Sequence, residues 1–137
     1  MTLLVDTNVL SELVRPRPDP GVLTWAQRVP TWALSLVSVE EMLFGLFARP
    51  NPRIQAWVET CASELCEVLP VTPEIASLSG QMRGMFAARG KLRTQADMLI
   101  AATAHAHRLT LVTRNTRDFE GCGIALLNPF TGTAPAR

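Results

Sequence analysis

Five short, largely apolar runs constrain the fold of this chain more than any other feature of its sequence. They cover residues 2–5, 32–37, 67–71, 110–113 and 124–127 and do not alternate strictly between polar and apolar side chains. Strands of that kind are buried on both faces, which is typical of a parallel sheet covered by helices. Apolar residues recur at helical spacings between the runs. We therefore predict an α/β fold, a three-layer α/β/α sandwich with a mostly parallel central sheet.

Capping signals predict where the helices begin. A hydroxyl residue followed three positions later by an acid is a capping-box pattern, and it occurs in S-V-E-E from Ser38 and in T-Q-A-D from Thr94. The first of these helices should continue through Phe47 and the second to about Arg108. Thr72 precedes a proline, as at the start of another helix. Further helices are expected at residues 9–14, 22–28, 54–65 and 75–90.

Length and composition are those of one folded domain. The chain has 137 residues, of which 47% are hydrophobic and 18% charged, far from the composition of a disordered chain. We predict one domain over residues 1–130 and a frayed C-terminal tail over residues 131–137. The net charge of +1 gives no overall attraction to nucleic acid or anionic lipid, so any contact with nucleic acid must depend on local side chains.

The cysteines and the absence of long apolar segments bear on location. Cys61, Cys66 and Cys122 form an odd, sparse set with no C-x-x-C pair, which is typical of a reducing cytosol. The N-terminal residues lack the basic and apolar regions of a signal peptide, and no apolar run approaches the roughly 20 residues needed to span a bilayer. We expect a soluble, cytoplasmic protein with no membrane partner.

The acidic residues fall at the ends of predicted strands and the starts of predicted helices. Asp6 ends the first strand, Glu41 and Asp97 lie in first helical turns, and Asp118 follows a later strand. In a parallel α/β sheet these positions share one edge, where binding sites form. Each residue alone could be a capping or turn residue. The coincidence of all four favours a common acidic crevice.

Carboxylates gathered in one crevice would repel each other unless a cation compensates them. Oxygen ligands without suitable cysteine or histidine favour a hard ion such as Mg²⁺ or Mn²⁺. Such an ion can activate water and neutralise a phosphodiester. The acidic residues therefore indicate metal-dependent phosphodiester hydrolysis.

Four ordered motifs and the terminal L-N-P-F resemble one known family. The motifs are L-V-D-T-N at 4–8, S-x-x-E-x-x-x-G at 38–45, D-x-x-I-A-A-x-A at 97–104 and T-R-N-x-x-D-F at 113–119. From residue 3 to residue 130 the chain is similar to a PIN domain, in particular to the VapC toxin ribonucleases and their FitB-like relatives. The resemblance implies that Asp6, Glu41, Asp97 and Asp118 are the catalytic acids and metal ligands, supported by Thr7, Asn8, Thr113 and Asn115.

Glu40 precedes Glu41 and is the one ambiguity in this assignment. Glu41 keeps the four-residue distance to Gly45 and the capping-box position, so we assign the acid to Glu41. Three basic residues around the glycine before the Asp97 helix, Arg89, Lys91 and Arg93, are candidates for binding substrate phosphates. Solvent-exposed surface is the alternative for all three.

The resemblance also implies a function and a set of partners. It implies a Mg²⁺- or Mn²⁺-dependent endoribonuclease that is the toxin of a type II toxin–antitoxin system. The partners implied are RNA, a VapB-like antitoxin that covers the active-site groove, and a second copy of the chain, with operator DNA bound only through the antitoxin. An apolar surplus at residues 43–47 and 54–58 independently suggests a protein interface.

Two other functions fit parts of the sequence. One is a catalytically silent module that binds an antitoxin and co-binds operator DNA in a FitAB-like complex. The other is phosphatase or receiver chemistry at Asp6, since an aspartate at a strand end is common to both. It is the weaker alternative, because D-T-N-V lacks the second aspartate of haloacid-dehalogenase-type phosphatases and no acidic pair precedes Asp6.

Overall fold

The computed structural model describes residues 2–131 and has the predicted three layers. Five strands form one sheet in the order β3-β2-β1-β4-β5, and all their pairings are parallel. The strands are β1 (Leu3–Val5), β2 (Trp32–Ser35), β3 (Cys66–Leu69), β4 (Thr110–Val112) and β5 (Leu126–Leu127). The helices are α1 (Thr7–Leu13), α2 (Pro20–Arg28), α3 (Leu36–Ala48), α4 (Pro52–Thr60), α5 (Pro73–Ala88) and α6 (Gln95–His107), with a short 3-10 turn at Thr116–Phe119. The order of strands and helices is the predicted one.

Each face of the sheet carries its own core, because consecutive residues of a strand point to opposite faces. Leu4 packs with the inner sides of α5 and α6, including Ile75, Phe86 and Met98. Its neighbour Val5 packs on the opposite face with Leu10 of α1 and with the start of α2. Burial on both faces explains why the strands carry apolar residues at consecutive positions.

The strand order reverses direction at β1. From β1 the chain first builds outward to β2 and β3, and then returns to place β4 and β5 on the other side. The backbone N–H of Asp6 donates to the carbonyl of Val112 at the end of β4, at 2.9 Å. In open α/β sheets, the crevice beside such a reversal is where ligands bind.

The start of α3 differs from the prediction. The second strand ends at Ser35, not at residue 37, and the hydroxyl of Ser35 caps the helix by accepting from the N–H of Val37 at 3.1 Å. Ser38, predicted as the cap, lies within the helix with none of its surface exposed. The capping-box pattern was displaced because Ser35 is also a hydroxyl residue, placed where the strand stops pairing. The caps at Thr72 and Thr94 are confirmed.

The segment after α4 also differs from the prediction. The helix expected over residues 54–65 ends at Thr60, and a π-helical turn at Cys61–Leu65 leads into β3. The structure joins Cys61 and Cys66 in a disulfide across this turn, with a Cα–Cα distance of 5.7 Å. This disulfide departs from the reduced set of cysteines that the sequence led us to expect. The sequence could not show the pair, because the π-helical turn brings the two residues together.

A carboxylate holds the end of the described chain. Asp19 caps α2, and its Oδ1 accepts from the N–H groups of Gly21 at 2.9 Å and Val22 at 3.3 Å. The same oxygen accepts from the N–H and hydroxyl of Thr131, both at 2.8 Å. We call this arrangement of Asp19, Gly21, Val22 and Thr131 the Asp19 clasp. Thr131 was predicted as the first tail residue, and the rest of that tail, 132–137, lies outside the described residues.

Among residues 2–131, no helix is long and apolar enough to cross a membrane.

Candidate active site

The four predicted acids are brought to the edge where the strands end, beside the reversal of strand order. Asp6 directly follows β1. Glu41 was predicted in the first turn of its helix and at the capping-box position, but α3 begins at Leu36, so Glu41 lies in the second turn. Asp97 lies in the first turn of α6, and Asp118 in the 3-10 turn after β4. The negative charges of Glu41 and Asp97 both act on Asp6, and those of Asp118 and Glu41 act on Asp97. We refer to these four residues as the acidic cluster.

Asp6 is the most buried member of the acidic cluster. Its exposed fraction is 6%. Its Oδ1 accepts from the N–H of Thr7 at 2.8 Å, and its Oδ2 accepts from the hydroxyl of Thr113 at 2.8 Å and the side-chain amide of Asn8 at 3.1 Å. Burial raises the pKa of Asp6 to about 6 and outweighs the hydrogen bonds from Thr113 and Thr7, which lower it; the charges of Asp97 and Glu41 make smaller raising contributions. Asp6 thus caps α1, and ionising its carboxyl group in this buried position is energetically unfavourable.

Glu41 is tied to the same edge by Thr7. The Thr7 hydroxyl donates to Glu41 Oε1 at 2.8 Å, which links the first turn of α1 to α3. Glu40 is exposed and borders a separate apolar surface with Leu36 and Phe44. One helical step of 100° separates the two neighbouring glutamates, and it is the charge of Glu41 that acts on Asp6 and Asp97.

Thr113 organises the polar residues around Asp6. Its side chain is fully buried, and its hydroxyl accepts from the Asn8 amide at 3.3 Å and from the Asn115 backbone N–H at 3.1 Å. Asn8 in turn accepts from the backbone N–H of Arg114 at 3.2 Å. Thr7, Asn8 and Thr113 thus fix the carboxylates through their side chains. Asn115 contributes through its backbone.

Asp97 and Asp118 form the more open side of the cluster. Asp97 is half-buried and Asp118 is exposed. Burial raises the pKa of Asp97, and the charges of Asp118 and Glu41 add to this, while the Thr94 side chain and the charge of Arg93 oppose it. The acidic cluster is therefore graded, from a buried, fixed carboxylate at Asp6 to a solvent-facing one at Asp118.

The three basic candidates are in different environments. Arg89 and Lys91 are exposed in the connection between α5 and α6. Arg93 is half-buried, and its guanidinium donates to backbone carbonyls of the Asp118 turn. The sequence pattern grouped the three because they are neighbours in the chain, and it could not show that one side chain folds back onto the protein.

The carboxylates of the acidic cluster are oxygen donors, the kind of ligand that hard divalent cations bind. Among residues 2–131, no three Asp, Glu, His or Cys side chains converge closely enough to enclose a metal ion. Mg²⁺ is commonly held by one or two carboxylates and completes its shell with water and substrate phosphate. The mutual repulsion of Asp6, Glu41 and Asp97 is the electrostatic condition that a divalent cation relieves.

An apolar groove borders the acidic cluster. It has a volume of about 490 Å³, begins at Thr7 and Glu41, and runs between α1, α3 and α4. Its walls include Leu10, Met42, Leu46, Ile54, Trp57 and Val58. The apolar surplus predicted an interface on α3 and α4, but it missed the α1 wall, where Leu10, Ser11 and Val14 sit in an ordinary helical pattern. Farther along α3, Phe44 and Phe47 are 72% and 81% exposed.

The fold and the acidic edge together define an α/β domain of one known class. Residues 3–122 match the PIN domain. This span covers most of the chain, so the protein belongs to the PIN-domain family.

Comparison with individual proteins narrows the likeness to one branch of that family. The chain is 35% identical to VapC ribonuclease Y4jK of Sinorhizobium fredii, over 93% of this chain and 97% of that protein. It superimposes on the crystal structure of FitAcB from Neisseria gonorrhoeae with a TM-score of 0.79 and 32% identity, covering 93% of this chain and 98% of the other. A toxin–antitoxin complex from Klebsiella pneumoniae contains a chain with a TM-score of 0.75 and 27% identity, covering 94% and 98%. The predicted resemblance to VapC and FitB proteins is confirmed.

Proposed function

We propose that this protein is a Mg²⁺- or Mn²⁺-dependent endoribonuclease and the toxin of a VapBC-like type II toxin–antitoxin system. The observation that carries the proposal is the acidic cluster: a buried carboxylate with a raised pKa, held by the side chains of Asn8 and Thr113 and by the backbone N–H of Thr7, with further carboxylates beside it at the sheet edge. The similarity to a VapC ribonuclease supports RNA as the substrate. The reaction belongs in the cytoplasm, where RNA is available.

Each acid has a distinct part in this proposal. Asp6 and Asp97 supply the carboxylates that would hold the ion, since they are the two acids whose pKa values are raised by burial and by neighbouring negative charge. Bound there, Mg²⁺ or Mn²⁺ would neutralise the phosphodiester and lower the pKa of a water. Glu41, oriented by Thr7, and Asp118, at the solvent-facing side, orient the attacking water or complete the ion's shell. In-line attack of water leaves a 5′-phosphate and a 3′-hydroxyl.

Arg89 and Lys91 are suited to hold RNA beside the acids. Both are exposed in the connection that leads into the Asp97 helix. Phosphate contacts of this kind contribute affinity that weakens with salt and carries no base specificity.

The groove beside Glu41 supports a protein partner. We propose that a segment of a VapB-like antitoxin lies in it, because its apolar walls end at Thr7 and Glu41, so that an occupant would also reach the acidic cluster. The exposed Phe44 and Phe47 are proposed to contribute to a homodimer. Operator DNA would be bound through the antitoxin, since a net charge of +1 gives this chain little attraction of its own.

The acidic cluster argues against a catalytically silent module. A carboxylate that served only to cap a helix would gain nothing from being buried beside like charges. The buried charge of Asp6 destabilises the folded protein, as is expected of a residue that a function requires. Aspartyl phosphate chemistry stays the weaker alternative, because D-T-N-V lacks the second aspartate of haloacid-dehalogenase-type phosphatases and no acidic pair precedes Asp6.

The proposal is tested by RNA cleavage with the purified protein. We expect cleavage in Mg²⁺ or Mn²⁺, none in EDTA, and a loss of about 100-fold or more in kcat for Asp97→Asn, the size typical of losing a charged catalytic group. Glu41→Gln should also lose activity. Glu40→Gln is its matched control, because the neighbouring Glu40 is exposed on another face. Cleavage in EDTA, or equal effects of the two glutamine variants, would contradict the proposal.

A further inference from the structure

Arg93 is bound to the backbone of the turn that carries Asp118. Its Nη1 donates to the carbonyl of Asp118 and lies 3.4 Å from that of Arg117, and its Nη2 donates to the carbonyl of Glu120 at 3.1 Å. One side chain thus contacts three carbonyls within four residues. The guanidinium is planar and its N–H groups point in fixed directions. Its contacts with three carbonyls therefore define how the turn is oriented as well as how far it lies from Arg93.

An aromatic ring also contacts the Arg93 guanidinium. Arg93 Cζ lies 4.3 Å from the centroid of the Phe86 ring, within the range of a cation–π interaction. Phe86 is 7% exposed and belongs to the core between α5 and the sheet. The ring therefore connects the Arg93 contacts to the rigid part of the molecule.

The Asp118 turn is closed by two backbone hydrogen bonds, from the N–H of Asp118 to the carbonyl of Asn115 at 3.0 Å and from the N–H of Glu120 to the carbonyl of Arg117 at 3.4 Å. The 3-10 turn has no side-chain cap of its own. Phe119 anchors it from below, with 1% of its surface exposed, but the neighbouring Asp118 is exposed. The carbonyls that Arg93 binds lie on both sides of Phe119 in the chain. Arg93 thus fixes the part of the turn that the core does not reach.

We infer that Arg93 is a positioning residue that places Asp118 opposite Asp97, and that it is not a phosphate-binding residue. Arg93 lies four residues before Asp97 and binds the turn of Asp118, so it connects two members of the acidic cluster. Binding an RNA phosphate through the same Nη atoms would release the carbonyls they hold. This inference rests on the proposed function for its catalytic consequence, while the anchoring of the turn does not depend on it.

Three variants separate positioning from charge and from phosphate binding. Arg93→Lys keeps the positive charge but loses the planar fork, and Arg93→Ala loses both. Arg28→Ala is the matched control, because Arg28 is an exposed arginine in the last turn of α2. The measurements are hydrogen exchange of the backbone amides of residues 116–122 and steady-state cleavage of one RNA at several salt concentrations.

If Arg93 positions the turn, both Arg93 variants exchange faster at residues 116–122 than the wild type, and Arg28→Ala does not. In cleavage, kcat should fall by roughly 10- to 100-fold, the size typical of a misplaced catalytic group. KM and the salt dependence of kcat/KM should stay near the wild-type values. Arg93→Lys should recover less than half of the lost kcat.

Opposite results would overturn the inference. Unchanged exchange in Arg93→Ala, wild-type kcat in Arg93→Lys, or a raised KM with a smaller salt dependence would each make Arg93 a charge or phosphate contact. If the wild-type protein itself cleaves no RNA, the proposed function fails, and the exchange result alone still decides whether Arg93 holds the turn.

Discussion

Asp6 and Asp19 are both helix caps whose carboxylates accept several hydrogen bonds, yet their pKa values shift in opposite directions. Asp19, in the Asp19 clasp, accepts four hydrogen bonds through one oxygen, and these lower its pKa. Asp6 accepts three from Thr7, Asn8 and Thr113 and still has a pKa raised to about 6. Burial and neighbouring negative charges account for the difference.

The two carboxylates have opposite effects on stability. The charge of Asp19 stabilises the fold, whereas the charge of Asp6 opposes folding. The Asp19 clasp joins α2 to the end of the described chain, and its hydrogen bonds lower the pKa of Asp19. The acidic cluster concentrates negative charge where the sheet edge is open. A carboxylate whose charge opposes folding is expected at a functional site, so opposite responses to pH and mutation should distinguish the two regions.

The largest expected effect is a loss of stability of the metal-free protein as pH rises. The folded-state pKa of Asp6 is above its ordinary value of 3.8, so its contribution to stability is full below pH 4 and is lost as pH rises through about 6. This change in the pKa of Asp6 corresponds to roughly 3 kcal/mol in the free energy of unfolding. The pH dependence due to Asp19 has the opposite sign, since its lowered pKa gives stability that is lost as pH falls. Urea unfolding with EDTA from pH 4 to 8, in wild type and Asp6→Asn, measures the first effect as the difference between the two curves. Parallel curves would contradict it.

The next effect is on the Asp19 clasp itself. A Cβ at Gly21 would lie 2.5 Å from the carbonyl oxygen of Pro129 and 2.8 Å from the N of Thr131. Because these neighbours are backbone atoms, Gly21→Ala should destabilise the protein by about 2 kcal/mol. Gly84→Ala is the control, since its Cβ would meet nothing within 4 Å, and an alanine inside a helix should be neutral or stabilising. Equal unfolding midpoints for the two variants would show that the clasp does not hold this end of the chain.

The smallest effect contrasts the two aspartates directly. At pH 8 without metal, Asp6→Asn should stabilise the protein by about 1 kcal/mol, because the gain from removing a buried charge is partly offset by weaker hydrogen bonds to Thr113 and Asn8. Asp19→Asn should destabilise it, because a neutral oxygen is a weaker acceptor for the four donors of the clasp. Thermal unfolding of both variants checks the signs. The same sign for both would remove the distinction between the regions.

The sequence could predict the local part of this structure. Apolar strands and the positions of Asp6, Glu41, Asp97 and Asp118 depend on patterns within a few residues, and the fold follows from them. The sequence could not predict which serine caps α3. Ser35 and Ser38 are both suitable hydroxyl residues, and the cap is Ser35 because β2 stops pairing there.

Long-range contacts were beyond the sequence. The Asp19 clasp joins residues 112 positions apart, and Arg93 reaches 25 positions to Asp118. Nothing in the surrounding residues distinguishes such an arginine from its exposed neighbours Arg89 and Lys91. The apolar groove could not be fully predicted for the same reason. Its walls come from three helices, and only two of them carry an apolar surplus in the sequence.

The central claim is that residues 6, 41, 97 and 118 form one electrostatically coupled site, and the pKa of Asp6 tests it most directly. Carboxyl-carbon NMR of the metal-free protein should show Asp6 titrating near pH 6. The midpoint should fall in Glu41→Gln and in Asp97→Asn and stay unchanged in the control Glu40→Gln. Adding Mg²⁺ should lower it in the wild type. An Asp6 midpoint near 3.8, or one that neither substitution moves, would contradict the account.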